Sequence, residues 1–63
     1  MSMEFSAAEK HRAVVREIEF RKYVYPRRVM KGDMSQAQAD KQIALMEAIA
    51  ADYAKLMEAE RLL

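Results

Sequence analysis

Two start signals and one stop signal punctuate this chain. Ser6 is followed three residues later by Glu9, and Ser35 by Gln38; at that spacing each side chain satisfies the other's exposed amide at the beginning of a helix. Between them stands Gly32, the only glycine, which can take the left-handed conformation that closes a helix. The chain is therefore predicted to form two helices, over about residues 6–31 and about 36–62, joined by a short connection. Alanine and methionine are abundant, a third of the residues are charged and β-branched residues are sparse, so no strand is expected and the fold class is all-α. Pro26 complicates the first helix, because it lacks a backbone donor and its ring crowds the carbonyl of Lys22. A kink near residues 25–26 is predicted, with a bent continuation of the helix favoured over a separate turn.

Apolar residues in the second helix recur at Ala39, Ile43, Met46, Ala50, Tyr53 and Met57, in steps of four and three that keep them on one face. Beside that stripe run Leu45, Ile49, Leu56 and Leu63, and the two sets together cover roughly half the circumference at about 100° per residue. The first helix places Ala8, Val15, Ile18, Tyr25 and Val29 beside Val14 on one face, with Ala13, Phe20 and Val24 nearly opposite. One partner helix cannot cover so much apolar surface. A short connection makes the helices antiparallel neighbours, so each has one face satisfied within the hairpin and one left over.

At 63 residues the chain is one domain and struggles to bury enough apolar surface alone. It has no cysteine to staple it, which leaves oligomerisation as the means of completing a core and a reducing compartment as the natural setting. The expected architecture is a flexible segment over 1–5 and a helical hairpin over 6–63 that pairs with a second copy as a homodimeric four-helix bundle. Its core and dimer interface are predicted at Val14, Ile18, Phe20, Val24, Ile43, Met46, Ile49, Tyr53 and Leu56. A different protein is the alternative occupant of the second face.

Catalytic chemistry finds no support. His11 is the only histidine, with no Glu three residues before it and no second histidine for a zinc site, so neither a metal nor another cofactor is expected. Ser2, Ser6 and Ser35 lack a glycine-framed nucleophile elbow, and Glu47 and Asp52, five apart, diverge around their helix. Met46, Met57 and Tyr53 suit a core or an interface without implying a ligand. No catalytic residue is nominated and the chain is read as a non-enzymatic interaction or accessory module. The segment Met1 to Ala8 carries no export signal, and no apolar run is long enough to span a bilayer; a cytoplasmic location without membrane contact is expected.

Charge is uneven. Residues 1–32 hold eight Lys or Arg against four Glu, and residues 33–63 hold three against six acids. The plainer reading is attraction between a basic and an acidic helix, with local pairs such as Glu17 and Arg21. The sharper one is a nucleic-acid patch at Arg21, Lys22, Arg27, Arg28 and Lys31, interleaved with Tyr23 and Tyr25 and doubled in a dimer. The net charge of only +1 weighs against it, and no base-reading motif accompanies it. An anionic membrane ranks lower, since the apolar face is better used in the bundle.

Tyr25, Pro26, Arg27, Val29 and Gly32, followed by Ala39, Ile43, Met46, Ile49, Asp52 and Tyr53, form a pattern that resembles short helical-hairpin proteins encoded in bacteriophages and prophages of Gram-negative bacteria. The resemblance spans roughly residues 17–60. Those proteins have no assigned activity; what the resemblance implies is a phage-derived setting and an accessory role, with no catalytic residue to carry over.

Overall fold

A computed structural model describes residues 4–62 as an antiparallel helical hairpin. Helix α1 spans Ala7–Lys31 and α2 spans Gln36–Leu62. Glu4 and Phe5 precede α1 without regular structure, whereas the rest of the expected flexible segment, residues 1–3, and Leu63 of the expected apolar stripe lie outside the described residues.

The helix ends follow from the residues that flank them. Ser6 caps α1: its hydroxyl accepts from the Glu9 amide at 3.1 Å while the Glu9 carboxylate accepts from the Ser6 amide at 3.2 Å. The Ser35 hydroxyl accepts from the Gln38 amide at 3.0 Å, and the Gln38 carbonyl oxygen accepts from the Ser35 amide at 2.9 Å. At the other end of α1, Gly32 adopts φ 81°. Its amide donates to the Val29 carbonyl and that of Asp33 to the Arg28 carbonyl, the paired bonds that satisfy otherwise orphaned carbonyls when a left-handed residue ends a helix. Between these bonds, α1 runs unbroken through Pro26, so no separate turn forms there.

Contacts between the helices fix the register. The Ala7 amide donates to Glu60 Oε1 at 3.3 Å at the open end, placing a carboxylate at the N-terminus of α1, where unpaired amides favour negative charge. Close to mid-length Lys22 Nζ lies 3.4 Å from Glu47 Oε2. The seam between the two helices buries Ala7, Ile18, Tyr25 and Ala39 and half-buries His11, Val14 and Arg21 from α1 and Ile43, Met46, Ala50, Tyr53 and Met57 from α2. On α1 it follows Ala7, His11, Val14, Ile18, Arg21 and Tyr25, a strict alternation of four and three. The expectation that Val15 belongs to it is corrected, since Val15 is 38% exposed; His11 and Arg21 occupy seam positions that an apolar count passes over.

This packing yields one layer. The molecule measures 47 × 23 × 16 Å, and its radius of gyration of 14.7 Å exceeds the roughly 11 Å typical of a compact domain of this length. Among the described residues no large side chain is fully buried.

Candidate functional site

Helical geometry divides the surface outside the seam into distinct faces. At about 100° per residue, Lys22 and Glu47 lie to one side of the seam, where their ion pair bridges the helices. A groove of about 180 Å³ opens on that side at the closed end, floored by Tyr25, Ala39 and Ile43 and rimmed by Lys22, Pro26 and Asp40. On the other side Val24 projects from α1 and Leu45, Ile49 and Leu56 from α2, with Phe20 at the margin. Phe20 is 60% exposed, Leu45 52% and Leu56 51%, and Val24 and Ile49 are half-buried. The nine residues predicted as core and interface therefore fall into two sets. Ile18 is buried and Val14, Ile43, Met46 and Tyr53 are half-buried in the seam, while Phe20, Val24, Ile49 and Leu56 form the adjoining apolar band with Leu45.

The band has a polar edge. Arg21 donates from Nη1 to the Tyr25 hydroxyl at 2.8 Å, and its Nη2 lies 3.0 Å from Glu17 Oε1. The Tyr25 hydrogen bond, with smaller electrostatic contributions from Tyr25 and then Glu17, raises the Arg21 pKa above its ordinary value against the opposing effect of desolvation. The Nε–H of the same side chain is buried without a hydrogen-bond partner. Lys10 Nζ stands 5.8 Å from the Tyr53 ring centroid, within range of a cation–π attraction.

The five residues of the predicted nucleic-acid patch do not share a face. Arg21 is tied into the seam edge, Lys22 is paired with Glu47 on the opposite side, and Arg28 and Lys31 sit in the last turn of α1, where cations complement exposed carbonyls. Contiguity in sequence distributes them around the helix. Arg27 faces away from the seam and packs against Tyr23, its guanidinium carbon 4.8 Å from the ring centroid and Nη2 donating to the hydroxyl at 3.0 Å. Arg12, Arg16, Tyr23 and Arg27 lie within an arc of about 60° on the outward side of α1. Arg12 and Arg16 were missed by reading the cations as a cluster; steps of four, seven and four were the signal that could have found them.

Among the described residues, no three His, Cys, Asp or Glu side chains converge to hold a metal ion, and no helix is long and apolar enough to cross a membrane. The chain matches no protein-family model, no curated protein and no solved structure.

Proposed function

We propose that this chain is a small homodimeric interaction module, an accessory protein of phage or prophage origin, whose hairpins pair through the band formed by Phe20, Val24, Leu45, Ile49 and Leu56. The observation that carries this reading is an apolar band lying along one side of a one-layer molecule. Its accessible surface of 5234 Å² compares with about 4,200 Å² for a compact monomer of the same mass. The excess, about 1,000 Å², is close to what one partner contributes to a standard interface, about 800 Å². The phage setting is supported by the residue pattern between Tyr25 and Tyr53 alone.

Charge favours a second copy over an unrelated partner. A two-fold axis parallel to the helices sets basic α1 of one copy over acidic α2 of the other, antiparallel to it, and places Phe20 at the level of Ile49 of the partner subunit. An axis across the helices would instead oppose basic α1 to its own copy. The expected product is a four-helix bundle in which every neighbouring pair is antiparallel.

Sedimentation equilibrium over a wide concentration range, with circular dichroism alongside, tests the assignment. A dimer is expected, and Phe20→Asp or Leu45→Asp should shift the mass toward the monomer by placing an unpaired charge in the band. A wild-type chain that stays a folded monomer at the highest concentrations would overturn it.

A further inference from the structure

Arg12, Arg16, Tyr23 and Arg27 occupy the outward arc of α1, opposite the seam, with Phe20 of the apolar band at the edge of the arc. The arc points away from the partner in the proposed pairing, so its arginines keep contact with solvent whether or not hairpins pair. Ion pairing within the described residues leaves Arg12, Arg16 and Arg27 without carboxylate partners. The Glu9 carboxylate on the same side is engaged by the Ser6 cap, and Glu19 at the edge of the arc is the remaining nearby acid. From Arg12 to Arg27 the ridge runs about 22 Å along the helix axis at 1.5 Å per residue. Tyr23 is 64% exposed, with the Arg27 guanidinium 4.8 Å from its ring centroid, which steadies the ring and leaves its other face open.

We propose that this ridge binds single-stranded nucleic acid, with backbone phosphates on Arg12, Arg16 and Arg27 and a base stacked on the open face of Tyr23. Guanidinium groups present planar donors to phosphate, and an aromatic ring between cations is how non-specific single-strand binders combine charge with stacking. A duplex keeps its base faces hidden and has no use for the exposed ring. An anionic bilayer fits less well, because a helix lying in a lipid interface needs apolar residues at the centre of its exposed arc. Here arginines hold the centre, the apolar Phe5 and Met30 stand toward the ends, and Phe20 lies at the edge that adjoins the band.

The full chain is titrated with a fluorescein-labelled oligothymidylate of about 20 nucleotides, longer than one site of this kind covers, with binding read as fluorescence anisotropy. Affinity is expected to fall with salt with a log–log slope of roughly −2, the release of counterions from three phosphates. Tyr23→Ala should weaken binding roughly tenfold at constant slope. Arg12→Gln combined with Arg16→Gln should reduce the slope to about −0.7. All three positions are exposed, and circular dichroism confirms that the variants keep their helices. Absence of binding at low salt, binding that these substitutions leave unchanged, or capture by phosphatidylserine vesicles in preference to the oligonucleotide would each overturn the proposal. The two assignments separate cleanly: a monomer that binds the oligonucleotide sinks the dimer and supports the ridge, and a dimer that does not bind sinks the ridge alone.

Discussion

Helices α1 and α2 are nearly equal in length, 25 and 27 residues, yet they distribute their apolar side chains in opposite ways. Most of α1 outside the seam is charged: Arg12, Arg16, Glu19, Arg27 and Lys31 share its outward side, and three of its residues are buried by a single partner. Only Ala39 is buried on α2, although apolar residues extend beyond its seam through Leu45, Ile49 and Leu56 and around its back through Ala44, Ala48 and Ala51. A helix with one apolar stripe is completed by one neighbour, whereas one that is apolar over much of its circumference is suited to being covered from more than one side. The difference leaves α1 with a charged outward side that also carries the exposed Phe20, Tyr23 and Met30, and α2 with an apolar surface that reaches farther around its circumference.

Seam and periphery can be separated by substitution. The largest effect is expected from Ile18→Asp, which places an unpaired charge at a buried seam position and should cost about 3–5 kcal/mol, a large part of the stability of a domain this small. Loss of the helical circular dichroism signal checks it; retained helicity would mean that the seam is not what holds α1 to α2. Gly32→Ala sharpens the contrast between the ends of the helices. A Cβ there would meet nothing within 4 Å, so any loss, expected at about 1–2 kcal/mol by denaturant titration, isolates the cost of holding φ 81° with an L side chain. Smallest is the link between Lys22 and Glu47, whose side chains are about half exposed. A double-mutant cycle should return a coupling below about 1 kcal/mol that fades with added salt.

Element ends were legible because the signals that set them are local: a serine, an acceptor three residues on and a glycine determine their own hydrogen bonds. The α2 seam was legible too, since every position from Ala39 through Ile43, Met46, Ala50 and Tyr53 to Met57 carries an apolar or aromatic residue. On α1 the same ladder passes through His11 and Arg21, so a search for apolar recurrence added Val15 to Val14, one position along and about 100° around the helix. Arg21 can occupy the seam because Tyr25 and Glu17 receive its guanidinium, a provision that becomes visible only in three dimensions. Cations adjacent in sequence were likewise not adjacent in space, and the ridge on the outward face joined arginines up to fifteen positions apart.

The 16 Å thickness bears on how motion is distributed. Ordinary domains grade from a slow, shielded centre to a quick surface, so their amide protons exchange at rates that report depth. A single layer of two helices has no such gradient across its width. In an isolated hairpin, protection is expected to vary along the 47 Å length instead, with the Gly32 turn and the Ala7–Glu60 link acting as the two boundaries from which opening proceeds. The middle turns around Ile18 and Met46 would then exchange last because they are farthest from either end.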